Sequence, residues 1–416
     1  MNSVHKTMIR LRDPLVVLAM LFVASWVDAW PQAKLKPTVI LISIDGFRYD
    51  YLENTNCPTL RALAESGVKA RWLVPIFPTK TFPNHYTLVT GLYAENHGVV
   101  GNTMYDPEFD ALFSMGRRSE VIDGRWWAGE PIWVTAEKQG VKSATFFWPG
   151  SEALIATKRP SYWTRYDGTI PHSNRVRQVL NWLDYPEESR PRVITLYFEA
   201  VDHAGHDYGP VFSAMDPTIR IVDLAIGLLV EGLKARNIFE SVNIIVVSDH
   251  GMAVTAGEQT IYLNDYVDTG NLRVVDRGII VSLWSQPETI DSLARVLAGV
   301  HPKMRVYRKS EIPDRWRYKN NRRVAPLVLV AEEGWGIRLR GEREYWDGRE
   351  RGGDHGYDNN LPSMRAFFVA HGPGFAQRKT GGPIENIHVY NLMCHLLGLI
   401  PAPNDGNLQD MSEMLR

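Results

Sequence analysis

The sequence predicts an α/β fold: a doubly wound, mostly parallel sheet that carries a small α+β insertion. Three observations point there. Short apolar, β-branched runs alternate with helix-like stretches. Each run is continuously apolar rather than alternating, as strands buried on both faces are. Each also leads into an aspartate, at the place where such sheets put their ligands, beyond the carboxyl ends of the strands.

The chain opens with Lys6, Arg10 and Arg12, followed by an apolar run from Pro14 to Val27 and the small-residue site Val27-Asp28-Ala29. This pattern predicts a secretory signal peptide over 1–29. The run is broken by Ser25 and falls short of the roughly 18 to 20 residues that a spanning helix needs. A retained N-terminal anchor is the alternative; no cysteine follows the cleavage site to carry a lipid. After signal removal no stable membrane span is expected.

The first strand is Val39 to Ile44, leading into Asp45. A helix follows from Pro58 to Ser66, closed by Gly67. The second run, Val193 to Phe198, continues through Glu199-Ala200-Val201 to Asp202, and a helix spans Asp216 to Arg236. The third run, Asn243 to Ser248, ends at Asp249-His250. The pattern then changes. Strands over Arg273–Trp284, Met304–Tyr307 and Val324–Val330, with a helix over Pro287–Val300, describe an α+β insertion. The core resumes at His355, with a strand near Phe367-Phe368-Val369 and a helix over His388–Leu397. The predicted organisation is therefore a catalytic core over 30–256 and 347–416, with the insertion over 257–346.

Composition narrows the function. A formal net charge of -1 gives no basic field to draw in nucleic acid or anionic lipid, so sequence-specific nucleic-acid binding is not expected. Arg315, Arg317, Lys319, Arg322 and Arg323 cluster inside the insertion, either as a solvated loop or as a basic rim for polyphosphate. Cys57 and Cys394 are the two cysteines. They read as buried thiols rather than a disulfide framework. Few cysteines and no N-x-S/T sequon favour a bacterial periplasmic or secreted protein.

Asp45, Asp202, His206, Asp249, His250 and His355 form a mixed oxygen and nitrogen donor set, which suits zinc better than magnesium. Six donors are too many for one catalytic zinc with an open position, but in threes they serve two. Two metals about 4 Å apart make the clamp used for in-line phosphoryl displacement. Between the first two runs lies Phe77-Pro78-Thr79-Lys80-Thr81-Phe82-Pro83-Asn84-His85. Pro83 fits a first helical turn, which puts Thr81 near the N-cap. Thr81 then reads either as a cap or, beside two cations, as a nucleophile stabilised by metal and helix dipole. Three carboxylates and one alkoxide balance two divalent cations.

These stretches, with Thr90-Gly91-Leu92-Tyr93, His97-Gly98-Val99-Val100-Gly101-Asn102, Asp202-His203-Ala204-Gly205-His206, Ser248-Asp249-His250-Gly251-Met252, Gly353-Asp354-His355-Gly356-Tyr357 and Pro401-Ala402-Pro403-Asn404, resemble the nucleotide pyrophosphatase/phosphodiesterase family of the alkaline phosphatase superfamily. The resemblance runs from about Thr38 to Leu408, with every motif in family order. It implies an alkaline-phosphatase-like fold and two Zn2+ per subunit. Asp45, Thr81, Asp249 and His250 would hold one zinc; Asp202, His206 and His355 would hold the other. Asn102 would donate to a non-bridging phosphate oxygen; without the family it reads as a turn residue.

Phe82, Tyr166 and Tyr197 lie where the family stacks a base. The missing bidentate arginine separates the chain from monoesterase relatives, since a guanidinium fork suits a dianionic phosphoryl group. His85, His97 and His203 read as supporting or packing residues, and His371 and His388 as structural ones. The implied activity is hydrolysis of nucleotide phosphodiester and pyrophosphate bonds to 5′-nucleotides through a nucleotidyl-Thr81 intermediate. The partners would be small-molecule nucleotides, with the preferred nucleotide and oligomeric state left open. A phospholipid or choline-headgroup phosphodiesterase on the same scaffold is the nearest alternative, and a catalytically inactive surface-binding protein is the alternative of another class.

Overall fold

Three strands with every residue buried sit side by side at the centre of the protein: β1 (Thr38–Ile44), β5 (Val193–Phe198) and β6 (Val242–Val247). Burial of both faces explains their unbroken apolar runs. The computed structural model describes residues 35–341 and 352–416, so the expected signal peptide and the insertion's closing boundary at Trp346 lie outside the described residues. The remaining strands of the main sheet are β2 (Val68–Ala70), β3 (Ser143–Phe146), β4 (Tyr162–Thr164), β7 (Phe368–His371) and β8 (Lys379–Gly381). Their order across the sheet is β8-β2-β7-β6-β1-β5-β3-β4. β1 pairs in parallel with both β5 and β6, whereas β7 runs antiparallel to its neighbours β6 and β2.

Helices α1 (Pro58–Ser66), α3 (His172–Leu183), α4 (Ala200–Tyr208) and α5 (Phe212–Ala235) form one packed group. A second group comprises α2 (Thr81–Thr90), the helix Ile132–Lys138 and α6 (Val389–Leu397). Both groups contact the sheet, which makes the fold doubly wound as expected.

The insertion has its own antiparallel sheet, ordered Arg273–Val275, Ile280–Trp284, Leu327–Ala331 and Met304–Arg308, with a helix over Pro287–Leu297. The run Arg273–Trp284, read as one strand, is a hairpin. The chain reverses through Asp276 (φ 55) and Gly278 (φ 120), backbone that a continuous strand cannot hold.

Two further expectations change in detail. The second run does not stay extended to Asp202. The strand stops at Phe198, and α4 begins at Ala200. Asp202 and His206 therefore share one helix face at i, i+4 spacing. Thr81 is the first helical residue of α2 rather than its cap; Lys80 is the N-cap. The Thr81 hydroxyl is thus not spent on a backbone N–H.

The basic cluster is largely exposed, with Arg323 buried, and its charges are paired. Arg315 pairs with Asp358, Arg317 with Glu95, Lys319 with Asp314, and both Arg322 and Arg323 with Asp106. Arg317, Arg322 and Arg323 reach carboxylates in the 95–106 segment, so these charges fasten the insertion to the core. Phe77 stacks on Trp316 at 3.9 Å, and the Tyr318 hydroxyl donates to the Val100 carbonyl at 2.9 Å. Cys57 and Cys394 are buried and unpaired.

Candidate active site

Strand ends, one helix face and two turns bring the predicted donors together. Asp45 follows β1 directly, with its N–H on the Phe198 carbonyl of β5 at 2.9 Å. Gly46 turns the chain at φ +68, where a Cβ would stand 2.9 Å from the Asp202 Cα; only glycine allows this close approach. Ser248 caps β6 by donating to the Phe47 carbonyl and accepting from the Phe367 N–H, both at 2.7 Å, which fixes Asp249 and His250 beside Asp45. His355 arrives from the far side of the insertion.

Asp202, His206 and His355 form one group whose donor atoms lie within 4.8 Å of one another. Asp45, Asp202 and His250 form another, and Asp45, His85 and Asp249 a third. His206, His250 and His355 each place Nδ1 2.8 Å from a backbone carbonyl, of Gly353, Gly251 and Thr79 respectively. A carbonyl only accepts, so each Nδ1 carries the proton and each Nε2 keeps a lone pair for the cluster. His250 Nε2 lies 3.0 Å from Asp249 and 3.4 Å from Asp45. His355 Nε2 lies 3.6 Å and His206 Nε2 3.4 Å from Asp202. Asp45 Oδ1, Asp202 Oδ1 and Asp249 Oδ2 are buried without a hydrogen-bond partner among the described residues. Buried carboxylate oxygens left so call for a cation.

The electrostatics agree. Burial, reinforced by Asp249 and Asp202, holds the Asp45 carboxyl well above the usual carboxylate range. Burial above all holds His355 well below the usual imidazole range, which keeps it neutral and ready to ligate. The donor set therefore fits divalent metal.

His85 behaves differently. Its Nε2 bonds the Ser43 hydroxyl at 2.8 Å, and its Nδ1 donates to the Thr81 carbonyl at 2.9 Å. Both nitrogens are committed, so His85 supports the group from behind. Buried His97 has both nitrogens bonded to Thr87 and Val99, His203 is exposed, and His371 stacks on Phe239. His388 accepts from the Asn407 N–H.

Thr81 Oγ1 lies 3.4 Å from His250 Nε2. Asn84 steadies the preceding turn by donating to the carbonyls of Pro78 and Lys80, both at 2.9 Å, and accepting from the Ile76 N–H. Asn102 Oδ1 accepts from the Phe82 N–H at 2.9 Å, which fixes the amide with its NH2 left to donate.

Beside Thr81 opens a cleft of about 320 Å³ lined by Phe82, Phe147, Trp148, Tyr166 and Tyr197. The three aromatic residues singled out in the sequence all line it. Phe147, Trp148, Met115, Arg118 and Glu152 line it too and were not foreseen. Arg118 opens the short helix Arg118–Val121, and the other four sit on irregular segments with no periodic signal. A cluster of aromatic residues over 146–148 was the one visible hint.

The family model for type I phosphodiesterase/nucleotide pyrophosphatase matches residues 39–358. The chain belongs to this family. Among similar proteins of this family, the frog (Xenopus laevis) bis(5′-adenosyl)-triphosphatase enpp4 is 41% identical over 92% of this chain and 83% of its own length. Human ectonucleotide pyrophosphatase/phosphodiesterase family member 1 is 40% identical over 91% of this chain. The chain spans 42% of that human protein and 46% of the venom phosphodiesterase of Crotalus durissus collilineatus, less than half of each.

The solved structure of murine ectonucleotide pyrophosphatase/phosphodiesterase 5 superposes with a TM-score of 0.87 at 36% identity, covering 91% of this chain and all of that one. This confirms the alkaline-phosphatase-like fold. An inactive threonine-to-alanine variant of the murine protein, in complex with AMP, gives the same TM-score.

Proposed function

We propose that this enzyme is an exported, two-zinc hydrolase of nucleotide phosphodiester and pyrophosphate bonds that works through a covalent nucleotidyl-Thr81 intermediate. One observation carries the reading: the Thr81 hydroxyl lies where the cluster of unpartnered buried carboxylates meets the aromatic cleft. Asp45, Thr81, Asp249 and His250 would hold one zinc, and Asp202, His206 and His355 the other. Bound there, the two cations would supply Lewis acidity and lower the pKa of the attacking hydroxyl groups.

The rest is done by the chain. Phe82, Tyr166 and Tyr197 hold the base, which places the α-phosphorus over Thr81. Thr81 Oγ1 forms the new bond to phosphorus as the bond to the distal group breaks, releasing pyrophosphate when ATP is the substrate. The Asn102 amide donates to a non-bridging oxygen whose charge grows in the transition state. Water then cleaves the Thr81 ester to give the 5′-nucleotide.

The inactive threonine-to-alanine variant of the murine relative supports the nucleophile, and its AMP complex supports a nucleotide substrate. Export is supported by relatives named as ecto- and venom enzymes, and among the described residues no helix is long and apolar enough to cross a membrane. A choline headgroup is disfavoured. Glu152, the carboxylate lining the cleft, is already paired with Arg118 at 2.7 Å and accepts from the Tyr166 N–H.

The test is Thr81→Ala assayed with p-nitrophenyl TMP. Turnover falls by orders of magnitude while fold and zinc content persist. Residual activity above about a tenth of wild type, a barrier change under roughly 1.4 kcal/mol, would exclude Thr81 as the nucleophile. Parallel assays with p-nitrophenyl phosphate and p-nitrophenyl phosphorylcholine, with and without chelator, separate the diesterase reading from its alternatives.

A further inference from the structure

Tyr197 faces two places at once. Its ring lines the cleft next to Thr81, while its hydroxyl donates to Asp45 Oδ2 at 2.6 Å. The side chain is 9% exposed and held from several sides. In the sheet Tyr197 pairs with Ser43 of β1, two residues before Asp45. Its ring meets the edge of His85 at 5.2 Å. Its carbonyl accepts from Arg175 Nη1 at 2.9 Å, and that fully buried guanidinium is clamped on Glu199 at 2.5 and 2.7 Å. The phenol is thus preset rather than recruited.

We infer that Tyr197 is a positioning residue for the metal ligand Asp45 as well as a wall of the nucleotide cleft. Its hydroxyl occupies Oδ2 and so leaves Oδ1, which has no hydrogen-bond partner among the described residues and lies 3.4 Å from His250 Nε2, as the oxygen offered to the cation. Hydrogen bonds of this kind fix ligand orientation, and their loss weakens metal binding by about 10- to 100-fold. One rigid ring then joins the surface that grips the base to the carboxylate that grips the metal.

The inference rests on the two-zinc reading above. Its test is Tyr197→Phe, which keeps the ring and removes the hydroxyl, with zinc affinities measured by competition against a chelating dye. One of the two zincs is expected to bind about 10- to 100-fold more weakly. The KM for p-nitrophenyl TMP at saturating zinc stays within about threefold, because the stacking surface is intact. The kcat lost at limiting zinc returns when zinc is added.

Tyr166→Phe, which removes a hydroxyl from the same cleft without touching Asp45, keeps both zinc affinities. Tyr197→Leu loses the ring too, so its KM rises in addition. Zinc binding by Tyr197→Phe within about twofold of wild type, or equal weakening of both zincs, overturns the inference. Wild-type protein that binds no zinc overturns the proposed function instead.

Discussion

Replacing Arg323 with methionine tests whether the insertion holds the segment that carries Asn102. The guanidinium is 6% exposed and donates to Asp106 Oδ2 at 2.6 Å, to the carbonyls of Gly98 and Trp126 at 2.7 and 2.8 Å, and to the Arg125 carbonyl at 3.1 Å. Removing one partner of a buried ion pair costs about 3–5 kcal/mol. Here the loss lies at the lower end, about 3 kcal/mol, because Arg322 stays on Asp106 and methionine still packs against Phe109 and Trp126. For 416 residues at about 2.1 cal/mol/K each, the unfolding entropy is about 0.9 kcal/mol/K, so Tm falls by about 3–4 °C. Scanning calorimetry reads this directly. The freed Gly98–Asp106 segment also lets Asn102 drift, which lowers kcat/KM by about tenfold at temperatures where the variant is folded. A Tm within 1 °C of wild type together with unchanged kcat/KM would refute the clamp.

Asn102→Ala removes one donor to the developing charge, so steady-state kinetics should show kcat down about 10²- to 10³-fold with KM little changed. A loss below about tenfold would reduce Asn102 to a turn residue. Burial opposes ionisation of Asp106, yet Arg322 and Arg323 outweigh it and hold its carboxyl at about 2, below its ordinary 3.8. Its stabilising contribution is therefore complete above about pH 4 and lost as pH falls toward 2. In urea unfolding, the gap between wild type and Asp106→Asn is expected to be wide at pH 5 and to narrow by pH 3; a constant gap would contradict the pairing. Chelation leaves Asp45, Asp202 and Asp249 facing one another, so Tm should drop reversibly. Each cation that had been at about 100 times its Kd contributes about 2.7 kcal/mol, some 3 °C. A Tm indifferent to chelator would exclude bound metal.

The candidate metal donors were legible because chemistry confined them to the ends of apolar runs. Asp45 stands directly after a buried strand and Asp249 one residue beyond another, and a buried acid cannot hide in such a pattern. Thr81 was legible through the proline two residues on. Local geometry was less so. That Asp202 and His206 share a helix face depends on where β5 stops, and Glu199-Ala200-Val201 carries no local punctuation to mark the break. The hairpin at Asp276 carried a turn signal in Gly278, but the apolar runs on either side of it read together as one strand. The cleft walls from Met115, Phe147 and Glu152 were illegible, since loops are placed by what they pack on rather than by their own periodicity. The arginines of the insertion were visible as charge, but the acidic partners of Arg317, Arg322 and Arg323 lie some two hundred residues earlier in sequence.

The donors come from β1's end, α2, α4, β6's end and a turn beyond the insertion, and they are ordered along the chain from Asp45 to His355. A polypeptide that emerges amino end first consequently holds an unfinished coordination sphere through most of its synthesis. No fragment that stops short of His355 can complete it. Under the proposed assignment, filling of the site made by Asp202, His206 and His355 would be a receipt for finished folding, issued only once the two ends of the core have met.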